Sequence, residues 1–521
     1  MDVKHLPALY KTVWIEECTR LKEFPPEQLY KWALLRGRYG AIVAEKVQNG
    51  YYIDKVKYMN MTASYGAILT AICEEINKQW PINTFVYGPK LLRYVFKSDV
   101  VRHYIRTNAP SYIMKSFKLS KKTKQLSIST ETFEQLWGNN KHSLDRNEYL
   151  QQIYRYLYTN NSLRGLVRRS PSKSGAKPFF EYFDAVESVV RPHFDDFGSQ
   201  TSRSQPKSNS YLLTKPAWMR ILLVPPPNCV MVVGDYSKQE VLYFGVVSQD
   251  KALIEAYASG DPYVAFGEAV GLFGGKTKGS PEYGITRHAC KQIVLANQYG
   301  ITKYGLSTQL SNIYGRQVET WEAQKRIDEF QRAYPTAHRW KRAMVGKYMG
   351  GRKKHITLKD GWTMWENNYN ERSVGNFPVQ GGCAVIMRAA DILAHQHGLA
   401  VPMTLHDGLY AYSHLHGGQI NYKDVATLVR CMREAFVWGL DNLPGSELID
   451  IDLKIIGKKV LTVPRPSHIV VDRRNYQLEF KELYRDERAT GDLKSVEPYM
   501  TIDKQISVLA ENKCFLPLGR M

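Results

Sequence analysis

Two acids separated by 172 positions (407 − 235) are the residues of this chain best placed to do chemistry. Asp235 lies in Val232-Val233-Gly234-Asp235-Tyr236-Ser237-Lys238-Gln239-Glu240, and Asp407 in Met403-Thr404-Leu405-His406-Asp407-Gly408-Leu409-Tyr410-Ala411-Tyr412. An apolar strand that ends on a bare carboxylate delivers a metal ligand to a sheet surface. Two such acids meeting at a sheet edge can hold two Mg²⁺ ions about 3.5–4 Å apart, which stabilise the attacking and leaving oxygens of an in-line phosphoryl displacement. A basic helix lies between them in the chain. Arg287, Lys291, Leu295 and Tyr299 follow at four-residue steps, so they line one helix face that Gly300 can close. Arg287 and Lys291 on that face suit the phosphates of a nucleotide. Taken singly, each segment has an ordinary structural explanation; together they describe nucleotidyl transfer.

These residues need a sheet and a helical block to position them. Asp235 ends one predicted strand, and the second acid reads as strand, tight Asp407-Gly408 turn, strand. A short strand, Tyr51-Tyr52-Ile53, feeds a helix, and the chain to about Ser170 is mostly helical with basic interruptions. The densest interruption runs from Lys115 to Lys124 and includes Lys121, Lys122 and Lys124; a second basic loop spans Arg164 to Pro178. From Gln239 to about Arg372 the pattern is helical, and strand signals return at Pro402–Tyr412 and Leu448–Ile456. That alternation predicts an α+β fold, an antiparallel sheet platform interrupted by a large helical insertion.

Composition narrows the partner. The 521 residues carry 71 Lys+Arg against 50 Asp+Glu, a net charge of +21, which favours a polyanion because each neutralised phosphate releases counterions. No apolar run is expected to reach the roughly 20 residues of a membrane span, since Ile221–Val233 is broken by Pro225-Pro226-Pro227. Met1–Arg20 has no apolar signal core, and seven scattered cysteines without CxxC spacing read as reduced thiols in a cytoplasmic compartment.

The ordered segments resemble motifs A, B and C of family A DNA polymerases: Asp-Tyr-Ser-x-x-Glu at 235–240, Arg-x-x-x-Lys at 287–291 with Tyr299-Gly300 following, and His406-Asp407 in a hairpin. Glu371-Arg372-Ser373-Val374-Gly375-Asn376-Phe377-Pro378-Val379-Gln380-Gly381 is similar to the segment ahead of motif C. Thr201-Ser202-Arg203-Ser204 resembles the Thr-Gly-Arg-x-Ser element, and Val224-Pro225-Pro226-Pro227 the approach to motif A. Gly50–Asp54 and Ile128-Ser129-Thr130 fit the first palm strand and the thumb, so the resemblance covers roughly residues 35 to 460.

The resemblance implies a right-hand polymerase fold with an antiparallel palm sheet, helical fingers and a helical thumb. Its expected divisions are an N-terminal segment 1–50, thumb with first palm strand 51–168, palm 169–239, fingers 240–375, palm 376–463 and a tail 464–521 without assigned role. It further implies that Asp235, Asp407 and the backbone carbonyl of Tyr236 bind the metals, with Mn²⁺ as an alternative to Mg²⁺. Arg287 and Lys291 grip a dNTP, Leu295 and Tyr263 line its site, Tyr299 stacks near the templating base, and Glu240 crowds a ribose 2′-OH. Arg203, Arg372, Asn376, Gln380 and His406 contact a DNA primer-template, and beside the acid pair the basic run with Lys121, Lys122 and Lys124 is expected to bind the DNA as well.

The sequence also departs from the pattern. Leu295 stands for an aromatic, Ala296 for Gly, Gly408 for the acid after motif C Asp, Tyr263 for a fingers His, Lys238 for Gln, and Val241-Leu242 for Leu-Arg. The Asp261-Pro262-Tyr263 form looks more like phage-type members. Only about fifty residues precede Tyr51, without Asp-x-Glu, so no 3′–5′ exonuclease is expected; a separate exonuclease or processivity factor would be a partner. The rival readings are a weakened primer-template scaffold and an RNA polymerase or primase on the same fold.

Overall fold

The run Cys229–Val233 has no charged residue, and a strand apolar on both faces needs cover on both. A computed structural model supplies it. It describes residues 6–462 except 109–116, 118, 121–122, 134–146, 168–176, 208–209, 216, 315, 352, 419 and 458–459. Lys121, Lys122 and the tail 464–521 therefore lie outside the described residues.

Five strands form the central antiparallel sheet: β1 (Cys229–Tyr236), β2 (Ala400–Leu405), β3 (Gly408–His414), β4 (Ile451–Ile456) and β5 (Val460–Thr462), in the order β2-β3-β1-β4-β5. Side chains alternate across β1, so its residues divide between two cores. Val230 and Val232 join the larger one, built with the helices behind the sheet and in the fingers, while Met231 and Val233 join a second core with Met403, Tyr410 and the thumb helices. Asp235 continues the series 231, 233, 235 onto the thumb-side face, beyond the apolar cover.

The helices expected in the thumb, Lys55–Gln79 and Glu148–Val167, pack together; Asp54 caps the first by accepting from Lys57 N at 2.9 Å. Tyr51-Tyr52 pairs with Val189-Val190, as the predicted first strand requires. A hairpin, Phe85–Gly88 with Arg93–Phe96, interrupts the stretch read as helical. Its signal was Gly88-Pro89 between two aromatic-rich runs.

Helices from Gln239–Ser248 to Pro335–Met349 fill the stretch expected as fingers, which ends in a short hairpin, His355–Thr357 with Thr363–Trp365, that the periodicity does not reveal. Buried Asp250 ties this block together, accepting from Leu253 N at 3.1 Å and from Thr336 N and Ala337 N at 2.9 Å, so one carboxylate caps two helix starts.

One expectation needs correction, and it concerns the helical run at the expected 375/376 boundary. The boundary between 375 and 376 falls inside a continuous helical run, in which Glu371–Asn376 passes through a π turn, Phe377–Gly381, into Gly382–Gln396. That same run, Glu371–Gln396, is long and apolar enough to cross a membrane by length and composition, although none was expected. Its apolar window is 83% buried within the protein, which is the signature of a core helix. The helix Pro26–Asn49 docks against it through a buried Lys46–Asp391 ion pair, so this part of the N-terminal segment is packed on the palm.

Candidate active site

Antiparallel pairing brings the two acids together. Gly408 on β3 lies opposite Asp235 on β1, and Tyr236 N donates to the Asp407 carbonyl at 3.0 Å. The turn differs from the Asp-Gly expectation. Leu405 pairs with Gly408, so His406 and Asp407 are the two loop residues, and the positive φ, 49°, falls on His406. A left-handed non-glycine is a small store of strain, of a kind that gathers at functional sites. Gly408 answers a different need: a Cβ there would lie 3.1 Å from Asp235 Oδ1.

Asp235 is reachable by solvent, yet protein crowds it on most sides. Burial of the charged form, then the charges of Asp407 and Asp452, push its carboxyl up to about 7. Burial raises Asp407 as well. Asp452 is directly opposite Asp235 on β4.

Beside the pair, at the start of the Gln239–Ser248 helix, Glu240 accepts from both Arg203 and the Tyr299 hydroxyl. Gln380 also hydrogen-bonds that hydroxyl, and Asn376 Nδ2 donates to the Tyr299 carbonyl at 3.3 Å. Burial and the Glu240 charge raise the Tyr299 phenol, which keeps it a donor. Five of the residues picked from the sequence thus form one cluster.

The Pro281–Gln298 helix carries the predicted stripe. At one end Arg287 Nε donates to Asp261 Oδ2 at 2.6 Å, and its guanidinium lies 5.8 Å from the centre of the Tyr263 ring. At the other end Tyr299 follows the last turn, and Gly300, φ 69°, closes it. Lys291 is exposed between them, and Leu295 is half-buried against the core. Tyr263 is buried, so Arg287 meets its ring face. Arg372 is exposed, with its side chain alongside Gly300, and Lys124 is exposed in a left-handed conformation on its own loop.

Sequence reasoning missed Asp261 as the anchor of Arg287, although Asp before Pro at a helix start is an N-cap signal; its Oδ1 accepts from Tyr263 N at 3.1 Å. It also missed Lys341, whose ammonium caps the carbonyls of Asn297 and Gln298 at the C-terminal end of the same helix. Burial pulls Lys341 down to about 8.

A sequence model of DNA polymerase family A matches residues 112–414, more than half of the chain and the segments that carry Arg203, Asp235, Arg287 to Tyr299, Gln380 and Asp407. The chain belongs to DNA polymerase family A. It is 27% identical to DNA polymerase I of Mycobacterium bovis and of Mycobacterium tuberculosis over 173 residues, 31% of this chain and 18% of those proteins. The matched segment therefore spans under a fifth of the curated relatives. Among solved structures, the polymerase domain of Pol1 from M. smegmatis, in complex with DNA primer-template and dNTP, has a TM-score of 0.58 at 16% identity, covering 80% of this chain and 69% of that one. That likeness gives the fold: an α+β polymerase hand with an antiparallel palm.

Within the family A frame, Ser202 is informative, because it stands where the pattern has glycine and adopts φ 61°. Buried Arg388 holds it there. Nη1 donates to the Ser202 carbonyl and Nη2 to Ser202 Oγ at 2.8 Å, while Asp360 Oδ2 accepts from Nε at 3.1 Å. The next residue is Arg203, so Arg388 is a positioning residue for the Arg203–Glu240 contact.

Family A polymerases use divalent metal ions generally, and the acids here suit one. Two crowded carboxylates, both raised by burial and Asp235 further by the Asp407 charge, are a hard-oxygen donor set whose crowding a cation relieves. Among the described residues no group of three His, Cys, Asp or Glu could hold a metal. Asp235 and Asp407 are the acids that meet there, and a hard cation held by two carboxylates takes its remaining ligands from carbonyl, water and phosphate oxygens.

A proton and a cation compete for this pair, which gives a test. With a folded pKa near 7 for Asp235 against about 3.9 unfolded, the folded chain holds a proton that the unfolded chain releases. Metal-free stability is therefore expected to fall through this group as pH rises from about 4 to about 7. Mg²⁺ should raise the melting temperature clearly at pH 8 and little at pH 5. Equal shifts at both pH values would remove the pair as the metal site.

Proposed function

We propose that this chain is a template-directed DNA polymerase, extending a primer 3′ end with dNTPs by two-metal nucleotidyl transfer. The observation that carries the reading is the convergence of Asp235 and Asp407 at the β1 and β3 ends, beside the Glu240–Arg203–Tyr299 cluster. The chemistry of the site supports both the activity and the DNA partner. Bound at Asp235, Asp407 and the Tyr236 carbonyl, two Mg²⁺ ions, or Mn²⁺, would stabilise the attacking and leaving oxygens. The chain's own groups do the positioning. Arg287, aligned by Asp261, and exposed Lys291 present two cations on one helix face to a triphosphate. Glu240, fixed by Arg203 and Tyr299, sets the floor on which the sugar rests.

A fixed carboxylate in that place excludes a ribose 2′-OH by bulk. Glu240→Ala is expected to raise incorporation of rNTPs relative to dNTPs on the order of tenfold to a hundredfold. An unchanged ratio in single-nucleotide kinetics would sink the steric role and revive the RNA polymerase or primase alternative.

The deciding experiment extends a labelled primer on a DNA template with Mg²⁺, using dNTPs, rNTPs or no nucleotide. Extension by dNTPs is the expected result, with no shortening in the blank, since no exonuclease is proposed for this chain. Tight binding without extension would favour the weakened scaffold. A separate exonuclease or processivity factor is proposed as a partner and a membrane is not. The six free thiols among the described residues, five of them buried, favour the cytoplasm, that of the host if the chain is phage-encoded.

A further inference from the structure

The helix Thr320–Ala333 has an outer face that the core does not explain. Ala323, Ile327 and Phe330 are buried, whereas Trp321, Lys325, Asp328 and Arg332 recur at steps of four, three and four on the other side. Trp321 is 67% exposed. With Lys303, the first residue of the neighbouring helix Lys303–Tyr314, these side chains line a cavity of about 450 Å³. Three cations face one acid there. Asp328 accepts from Gln324 at 2.8 Å, Glu322 pairs with Arg316 at 2.8 Å, and Glu319 closes the helix capping box, so the remaining acids nearby are engaged.

We propose that this face binds single-stranded nucleic acid, one base stacking on Trp321 with the adjoining phosphates among Lys303, Lys325 and Arg332. An exposed aromatic plane flanked by cations is the minimal device for sequence-tolerant single-strand binding, since every base has a π face and every linkage a charge. The strand is the template ahead of the reacting base. Lys303 lies three positions past Gly300, the turn that closes the helix presenting Tyr299 to Glu240. Helices 303–314 and 320–333 both pack on that helix. The cavity thus lies where the fingers lead away from the catalytic cluster. This inference rests on the polymerase reading and deepens it by locating the unpaired template.

The test is the affinity of the full chain for primer-templates whose 5′ template overhang is about two or about twelve nucleotides, a span comparable to known single-strand site sizes. Wild type is expected to bind the long overhang at least about fivefold more tightly, as one stacked base provides. Trp321→Ala and Lys325→Ala should each remove most of that advantage, and Trp321→Phe, which keeps a ring, should retain most of it. No overhang advantage in wild type, or one that survives Trp321→Ala, would overturn the proposal. Extension of the short-overhang substrate by wild type, run in parallel, reports on the polymerase reading separately.

Discussion

Asp235→Ala and Asp407→Ala are each expected to lower primer extension on the order of 10³-fold or more, the scale on which removal of a core catalytic group acts. The reason is local. In the proposed mechanism the two acids are the protein's charged ligands, among the described residues no group of three His, Cys, Asp or Glu could hold a metal, and Gly408, at the position of the family's extra carboxylate, leaves the room that a Cβ would take from Asp235 Oδ1. The fold should not suffer. Burial raises both carboxyls and the Asp407 charge raises Asp235 further, so removing either acid relieves a crowded site, and the metal-free melting temperature should hold or rise. Primer-template affinity should stay within a few fold of wild type, since phosphate contacts by Lys and Arg dominate it. Asp235→Asn gives the isosteric control. Extension near the wild-type rate by either alanine variant would show that the chemistry lies elsewhere.

The second large effect is on stability. Replacing Asp360 by alanine is expected to cost about 3–5 kcal/mol, the penalty for leaving a buried charge without its partner. Arg388 and Asp360 are 4% and 1% exposed, and the guanidinium sits between Asp360 and Ser202, over the Phe197 ring at 5.1 Å. Without Asp360 the arginine stays buried and half-satisfied. Removing both charges together, as Arg388→Met with Asp360→Leu, should recover much of the stability, as apolar replacements of buried pairs do. It should not recover function in full, because Ser202 loses the bonds that hold its left-handed backbone and aim Arg203 at Glu240. Adding Ser202→Gly, which adopts that conformation without strain, should restore part of it. Denaturant midpoints with parallel dNTP kinetics decide the matter. A loss below about 1 kcal/mol for Asp360→Ala would place the pair among surface-like bridges.

The sequence by itself determined the catalytic frame. Asp235, the 287–300 stripe and the hairpin acid were legible because strand and helix periods act over a few residues, and the order of motifs carried the family. The expected palm strands and the Tyr51-Tyr52 strand formed for the same local reason. Only the tertiary structure decided what each side chain meets. Arg287 is aligned by Asp261 26 positions away, Glu240 is held by Arg203 and Tyr299, and Ser202 is clamped by Arg388 186 positions on. No local pattern announces such partners, since ion pairs and shared hydrogen bonds depend on which surfaces fold together. The same limit hid the hairpin turn. Asp407-Gly408 satisfied a turn rule, but pairing with β1 put the loop at His406-Asp407 and gave Gly408 the task of making room for Asp235. Spacing along a chain fixes direction, while distance between segments is set by packing of two cores on opposite faces of one strand.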